Sequence, residues 1–178
     1  MQVTISANGK NIKAEISEEQ AKILGLIEEQ RTGYERVEKR ETYYVINTED
    51  DSMINITEFN DQTDERCYNT GNYYSDKTIA ENNARADRLL RQLRQWQALN
   101  DKPISVEDWN NESKKKWFII YSYSSEEMYA EYYYIMRLPN TIYFATKEKA
   151  EEAIEVFKDE LIWYFTEYVQ RLDEVQND

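Results

Sequence analysis

The chain contains no histidine, the side chain that most enzymes use to move protons near neutral pH. A Ser-His or Cys-His nucleophile pair and a histidine-ligated zinc ion are therefore excluded. Glycine is also scarce, with four residues at positions 9, 25, 33 and 71. These glycines lie too far apart to form the loop with which P-loop and dinucleotide-binding proteins hold phosphate groups. We therefore expect a protein without catalytic activity and without a bound cofactor or metal ion.

Cysteine is rare and long apolar runs are absent. Cys67 is the single cysteine, so no internal disulfide can form, which is typical of proteins in a reducing cytoplasm. No apolar run approaches the roughly 20 residues needed to span a bilayer. The segment Met1–Thr4 does not begin a signal peptide. The sequence predicts a cytoplasmic protein without a membrane partner.

Negative charge is what the chain has in excess. It carries 35 Asp and Glu against 22 Lys and Arg, for a net charge of −13. Hydrophobic residues make up 40% of the chain and aromatic residues 13%, which is typical of folded globular proteins. This charge repels phosphate backbones and anionic lipids at long range. We expect no general binding to nucleic acids, and a basic macromolecule as partner.

One segment occurs twice. Tyr73–Glu81 reappears as Tyr143–Glu151, and in both copies an aromatic pair ends a strand-like run, a capping residue follows and an apolar-striped helix begins. The repeat predicts an α+β fold in which an N-terminal β-hairpin and helix precede two related units. Each unit consists of an antiparallel β-sheet and a long helix. The predicted boundaries are residues 1–34, 35–102 and 103–178.

The N-terminal part has hairpin and helix signals. Residues 2–6 and 11–16 alternate polar and apolar side chains on either side of Asn8-Gly9, a pair that favours a tight β-turn. Ser17, with a glutamine three residues later, is a capping pattern. A short helix is expected to run from there to about residue 30.

Three strands and a helix are predicted in the first unit. The strands are Tyr43–Ile46, Met53–Phe59 and Arg66–Tyr74. The helix covers Lys77 to about Leu99 and carries its apolar residues at steps of three and four. Asp76 is expected to cap it.

The second unit repeats this order, with strands expected at Trp117–Tyr121, Met128–Met136 and Thr141–Phe144. An unbroken apolar stripe predicts a closing helix from Lys147 to about Val175. Such a helix would be about 40 Å long, longer than a three-stranded sheet is wide. Its distal part is therefore expected to meet either the first unit or a second copy of the chain in a homodimer.

A column of acids on the closing helix is the main candidate for a binding surface. Glu148, Glu152, Glu155 and Asp159 follow one another at steps of four, three and four. Neighbours at these steps lie roughly 5–6 Å apart, which is close to the spacing of phosphates along a nucleic-acid strand. The column could imitate such a strand toward a basic groove, or it could be an ordinary solvated helix face.

Further acids and tyrosines extend the candidate surface. Glu49, Asp50 and Asp51 lie in a predicted turn of the first unit. Tyr129 and Tyr133 belong to a tyrosine-rich sheet, and tyrosine favours interfaces because it offers a large contact face with little rotamer entropy to lose. They could equally be ordinary sheet residues with hydroxyl groups at the surface.

Arginines form the one dense basic cluster on a predicted helix, at Arg85, Arg88, Arg91 and Arg94. Arginine binds phosphate through paired hydrogen bonds, so this strip could hold a nucleotide. It could also pair with the carboxylates of the protein itself or with a second subunit.

Two weaker signals complete the candidates. The run from Asp61 to Glu65 has oxygen ligands for a hard cation but lacks the glycine and the distal glutamate of an EF-hand loop. Cys67 has no neighbouring base in sequence, which favours a buried structural thiol. Neither predicts a site.

Four segments carry a resemblance to small uncharacterised phage and prophage proteins. They are Tyr43–Ile46, Gly71–Tyr74 with the following Ala80-Glu81, Asp108–Asn111 and Ile142–Glu151. These motifs are strand ends and helix caps, so the resemblance brings no catalytic residues. It implies a protein that acts in the cytoplasm of an infected bacterial host. Small acidic phage proteins of this kind resemble inhibitors of host defence, among them anti-CRISPR proteins that occupy the nucleic-acid groove of a Cas nuclease.

The function expected is therefore stoichiometric inhibition of a basic host nuclease, or of its RNA-guided complex, through the acids and exposed tyrosines. Two other classes stay open. A sponge for a nucleotide signal would use the strip Arg85–Arg94. A phage accessory or assembly protein would self-associate through the closing helix.

Overall fold

The β-strands of the chain form three separate two-stranded antiparallel sheets, and helices connect and cover them. The computed structural model describes residues 2–7, 10–26 and 31–174. The elements in chain order are β1 (Gln2–Ala7), β2 (Lys10–Glu15), α1 (Glu18–Ile23), β3 (Thr42–Ile46), β4 (Met53–Thr57), α2 (Gln62–Asn69), α3 (Lys77–Asn100), α4 (Val106–Trp109), β5 (Lys116–Ser122), β6 (Glu127–Tyr133), α5 (Lys147–Val156), α6 (Lys158–Thr166) and a 3₁₀ turn (Leu172–Glu174). The predicted α+β class is confirmed.

The N-terminal hairpin and the cap of α1 are as predicted. β1 and β2 pair with Val3 opposite Ala14, and the Asn8-Gly9 turn lies outside the described residues. The Gln20 amide donates to Ser17 Oγ at 3.1 Å, and the Ser17 amide donates to Gln20 Oε1 at 2.9 Å. The predicted length of α1 is wrong, because the helix ends at Ile23.

A Schellman motif stops α1. Gly25 has a φ of 64°, a left-handed conformation that favours glycine. Its amide donates to the Lys22 carbonyl at 2.9 Å, and the Leu26 amide donates to the Ala21 carbonyl at 2.9 Å. These two bonds satisfy carbonyl groups that a longer helix would otherwise have used.

The two copies of the repeat occupy equivalent places in the fold. In the first unit Tyr74 forms an isolated bridge with Tyr44 of β3, and in the second Phe144 forms one with Trp117 of β5. The helix that follows is capped in each case. Asp76 accepts from the Ile79 amide at 3.0 Å, whereas Thr146 accepts from the Lys149 amide at 3.3 Å.

The predicted third strand of the first unit is wrong. Residues 62–69 form α2, and Tyr74 alone keeps a strand-like bridge. Asn72 replaces the missing strand pairing through its side-chain amide, which donates to the Ile46 carbonyl at 2.9 Å and accepts from the Ile46 amide at 2.8 Å. The Asn72 side chain therefore satisfies Ile46 at the end of β3, and the backbone of Tyr74 pairs with Tyr44.

The second unit differs from its prediction in the same way. Its third strand is reduced to the bridge at Phe144. β6 ends at Tyr133, which pairs with Lys116, the first residue of β5. Beyond that point the Lys116 ammonium group donates to the carbonyl of Tyr134 and to that of Asn111. The side chain thus takes a carbonyl that a longer sheet would have paired, so the strand does not continue to Met136.

The closing helix is interrupted and shorter than predicted. Phe157, with φ −111° and ψ 20°, separates α5 from α6, and α6 ends at Thr166. The chain then turns back, so that Val169 and Leu172 pack against the core of the first unit and the Leu172 amide donates to the Thr32 carbonyl, just before that unit, at 3.0 Å. Of the two alternatives for the distal part, contact with the first unit is the one observed.

α3 contributes to the cores of both units. Near its start, Ile79, Ala80 and Ala84 pack with Tyr74 and Ile46. Further along, its residues Leu89 and Leu93 enter a second cluster that is completed by Phe144, Ala130 and the alanines and Leu161 of the closing helices. Val169 and Leu172 close the first cluster from outside. None of the helices in the described ranges combines the length and apolar character needed to cross a membrane.

Candidate functional site

α5 presents four carboxylates around one open surface depression. Glu148, Glu151, Glu152 and Glu155 line it together with the side chains of Trp96 and Val156, and these six residues are called the acidic patch below. The four glutamates lie three or four residues from their partners along the helix (148 to 152 and 151 to 155 are four apart), so one face of α5 carries them, and Trp96 of α3 borders that face. The structure thus brings together three of the four acids of the predicted column. Glu151 was missed because it lies beside that column.

The patch keeps an excess of negative charge. Lys147 pairs with Glu151 at 2.9 Å, and Lys149 pairs with Glu152 at 2.6 Å. Hydrogen bonding to Glu151 raises the pKa of the Lys147 ammonium group. Within the described part of the chain, Glu148 and Glu155 have no basic side chain at ion-pair distance. Two of the four carboxylates are therefore not compensated locally.

An aromatic ring forms the floor of the patch. Trp96 is half-buried and packs edge-on against Phe144, with 6.2 Å between ring centroids. The ammonium group of Lys149 lies 6.0 Å from the Trp96 ring. Indole faces attract cations, and surrounding carboxylates strengthen that preference. The arrangement suits the side chain of an incoming lysine or arginine.

The remaining residues of the predicted surface lie elsewhere. Asp159 belongs to α6, on the far side of the break at Phe157. Tyr129 and Tyr133 lie on the face of β6 opposite to Met128 and Ala130, which pack in the core against α5. Tyr133 stacks on Phe118 with 5.0 Å between ring centroids. The two tyrosines and the acidic patch therefore face different directions.

The acids of the β3–β4 turn are also separate from the patch. Asp51 is held by Arg91 and lies 3.9 Å from Arg88, so the protein itself neutralises this carboxylate. Asp50 accepts from the Ser52 amide at 3.0 Å, and its hydrogen bonds with Ser52 lower the pKa of Asp50. Glu49 is exposed at the tip of the same turn.

Three arginines of the predicted strip are engaged within the chain. Arg85 donates two hydrogen bonds to Glu160, at 2.9 and 3.1 Å, and lies 3.9 Å from the centroid of the Trp163 ring. This contact lowers the pKa of the Glu160 carboxyl. Arg88 and Arg91 hold Asp51. Arg94 is the member of the strip for which the described residues provide no carboxylate partner. Of the two interpretations of the strip, pairing with the protein's own acids fits Arg85, Arg88 and Arg91.

A buried carboxylate network holds the first unit together. Glu58 is 0% exposed, accepts from the Tyr73 hydroxyl at 2.7 Å and pairs with Arg36 at 3.1 Å. Asp64 accepts from the Tyr43 hydroxyl at 2.8 Å. The rings of Tyr43 and Tyr73 stack with 4.0 Å between centroids. Protein donors occupy both carboxylates, so the network is structural and offers no free acid or base.

The run from Asp61 to Glu65, a weak candidate for a cation site in the sequence, is part of this network. Asp61 caps α2 and Asp64 returns the bond to the Asp61 amide, whereas Glu65 pairs with Arg36. No group of three or more Cys, Asp or Glu suited to a metal ion occurs in the described ranges. Glu58 and Arg36 were missed in sequence because nothing local marks a residue that becomes buried through tertiary packing.

Asp64 gives the fold a specific dependence on acid. Burial alone raises its pKa, but donation by the Asp61 and Phe59 amides and by the Tyr43 hydroxyl outweighs burial and lowers the pKa of Asp64 to about 2. A carboxyl whose pKa is lower in the folded state stabilises the fold at pH values above its pKa in the unfolded chain, which is about 3.9 for aspartate. That contribution is lost as the pH falls from about 4 to about 2.

We therefore expect Asp64→Asn to lower the free energy of unfolding at pH 7 by about 1.5–3 kcal/mol, because hydrogen bonds to a charged acceptor are lost. Between pH 4 and 2 the wild type should lose stability more steeply than the variant. Urea denaturation followed by circular dichroism at several pH values measures both. Parallel pH profiles of the two proteins would contradict the assignment.

A scan against protein-family models finds no match to this chain, and searches of curated proteins and of solved structures find none either. The case for a function therefore depends on the geometry described above.

Proposed function

We propose that this protein acts by stoichiometric binding, without turnover, and that the acidic patch is its contact surface for a basic protein. The observation that carries the proposal is the convergence of Glu148, Glu151, Glu152 and Glu155 around the side chain of Trp96. Two local lysines leave half of these carboxylates free to bind cations. The net charge of −13 adds long-range attraction to a basic partner.

A groove that normally holds nucleic acid is the favoured partner surface. Carboxylates at these helical steps lie roughly 5–6 Å apart, so they can replace consecutive phosphates in contacts with lysine and arginine. The resemblance of the chain to phage proteins favours a defence nuclease of the infected bacterium, such as an RNA-guided Cas nuclease. Binding of this kind is fast at low salt and weakens as salt screens the charges.

The other two functional classes, a nucleotide sponge and a self-associating accessory protein, have less support. A nucleotide sponge built on the whole strip Arg85–Arg94 would need all four guanidinium groups, but those of Arg85, Arg88 and Arg91 pair with Glu160 and Asp51. Self-association through the closing helix would need its apolar stripe. Ile154, Leu161 and Trp163 of that helix are buried in the chain's own core. The inhibitor therefore remains our proposal.

Neutralising the patch should abolish inhibition. We expect the combined variant Glu148→Gln, Glu151→Gln, Glu152→Gln and Glu155→Gln to bind its partner about tenfold or more weakly, because charged contacts at an interface are lost. The assay is DNA cleavage by a guide-loaded Cas nuclease with increasing amounts of the protein, at low and high salt. Affinity capture from bacterial lysate with the same variants extends the test to other basic partners.

A second variant with the same change in net charge is the control. It carries Glu112→Gln, Glu127→Gln, Asp159→Asn and Glu167→Gln, all at exposed positions outside the patch. The control should inhibit like the wild type. Equal loss of inhibition in both variants would show that net charge alone, and not the acidic patch, is responsible. Full inhibition by the patch variant would refute the proposed surface.

A further inference from the structure

A groove on another part of α3 collects positive charge in this acidic protein. It has a volume of about 330 Å³ and lies between α3, α4 and the loop before α5. Its polar and aromatic lining comes from Arg94, Gln97, Trp109, Arg137 and Tyr143. Arg94 and Arg137 also line an adjoining depression, so the two residues border the same space.

Neither of these arginines is neutralised. In the described part of the chain no carboxylate lies at ion-pair distance from Arg94 or Arg137, in contrast to Arg85, Arg88 and Arg91 on the same helix. The acids next to the groove in sequence have other partners. Asp101 accepts from the Ala145 amide at 2.6 Å, and Asp108 pairs with Lys114 at 2.6 Å. The positive charge of the groove is therefore available to a ligand.

Aromatic contacts hold Arg137 in place. Its guanidinium carbon lies 5.1 Å from the centroid of the Trp109 ring. Tyr143 meets that ring edge-on with 5.0 Å between centroids. The Tyr143 hydroxyl accepts from the Leu138 amide at 2.8 Å, which ties the loop that carries Arg137 to the same support. An arginine positioned in advance loses less entropy when it binds a ligand.

A buried lysine lies close to the groove. Lys116 is 0% exposed, and its ammonium group lies 5.7 Å from the centroid of the Trp109 ring. Its hydrogen-bond partners are the carbonyl groups of Asn111 and Tyr134, which carry no charge. Arg137 and Lys116 therefore lie against the Trp109 ring, and the carboxylate of Asp108, which pairs with Lys114, also acts on Lys116.

We propose that this groove binds a small phosphate monoester, such as a nucleotide, with the phosphate between Arg94 and Arg137. Guanidinium groups match phosphate oxygens with paired hydrogen bonds, and a dianion gains most from two of them. The apolar side chains of Pro103, Ile104 and Ile142 form the rest of the wall and suit the organic part of the ligand. A volume near 330 Å³ falls at the lower end of the range for small-molecule sites, about 300–1,000 Å³. This proposal goes beyond the binding of a basic protein and uses different residues.

The test is isothermal titration calorimetry of the full chain with adenosine monophosphate, inorganic phosphate and adenosine. We expect saturable binding of adenosine monophosphate, weaker binding of inorganic phosphate and no binding of adenosine. Arg94→Gln and Arg137→Gln should each weaken the binding of adenosine monophosphate about tenfold or more, as expected for loss of a charge-assisted hydrogen bond. Both side chains are exposed, so melting temperatures should confirm that the variants fold.

Arg66→Gln is the matched control, because Arg66 is an exposed arginine of α2 outside the groove. It should leave the affinity unchanged. The proposal is overturned if neither phosphate binds, if adenosine binds as tightly as its monophosphate, or if Arg66→Gln weakens binding as much as the groove variants do. The patch variant with four Glu→Gln changes should retain ligand binding, so this test and the nuclease test can fail independently.

Discussion

Glu58→Ala is expected to lower the free energy of unfolding by about 3–5 kcal/mol, because several hydrogen bonds to a buried charged acceptor are lost together. Glu58 accepts hydrogen bonds from Arg36, from the Tyr73 hydroxyl and from the Asn60 amide at 2.8 Å. Removing the carboxylate leaves the buried Tyr73 hydroxyl without its acceptor, whereas Arg36 keeps its pair with Glu65. Urea denaturation monitored by circular dichroism measures the loss.

Glu65 provides a matched control for Glu58, because it pairs with the same arginine. Its side chain is 52% exposed, whereas that of Glu58 is 0% exposed. Exposed ion pairs contribute little, so Glu65→Ala should cost less than about 1 kcal/mol. Similar losses in the two variants would contradict a structural role that depends on burial.

Phe144→Ala should destabilise the second unit by about 3–5 kcal/mol, the usual cost of removing a buried aromatic ring. Phe144 is 0% exposed and packs among Leu89, Leu93 and Ala153. Its backbone bridge to Trp117 does not depend on the side chain. The loss therefore reports packing alone, and thermal unfolding is a suitable measurement.

Phe144→Leu is the control for Phe144→Ala, since it keeps an apolar side chain in the core. We expect a clearly smaller loss for the leucine variant. The contact of Phe144 with Trp96 also links this core to the acidic patch. Equal destabilisation by both substitutions would show that the aromatic shape, and not the filled volume, is what the site requires.

Capping residues and the repeat could be predicted from sequence because their signals are local. Ser17, Asp76 and Thr146 each accept a hydrogen bond from the first turn of the helix they precede. The aromatic pairs at Tyr73-Tyr74 and Tyr143-Phe144 take equivalent places in the two units. Such features depend on a few neighbouring residues, which a sequence displays directly.

Elements that depend on distant contacts could not be predicted in the same way. The strand predicted at Arg66–Tyr74 begins inside α2, and the prediction did not use the capping box of Asp61 with Asp64 that starts this helix. The break at Phe157 has no glycine or proline to mark it, and the apolar stripe continues through it. The apolar stripe specifies which side of the closing helix faces the core, but not where that helix is interrupted.

The candidate sites were predicted only where their residues lie on one helix, because contacts between distant segments are not visible in sequence. A helical step pattern placed Glu148, Glu152 and Glu155 on one face, and that prediction needed only α5. Arg137 was missed because its loop meets Arg94 only after the two units have packed. Pairing of Arg88 and Arg91 with Asp51 likewise joins α3 to a turn that precedes it in sequence.

The return of the chain after α6 makes the two halves interdependent. Val169 and Leu172 complete the interior of the first unit, and the Tyr168 hydroxyl donates to Asn83 on α3 at 2.8 Å. Each half therefore needs residues from the other half to complete its core. Separate expression of the halves would yield fragments with uncovered apolar surface, so we expect the chain to unfold in a single transition despite its internal repeat.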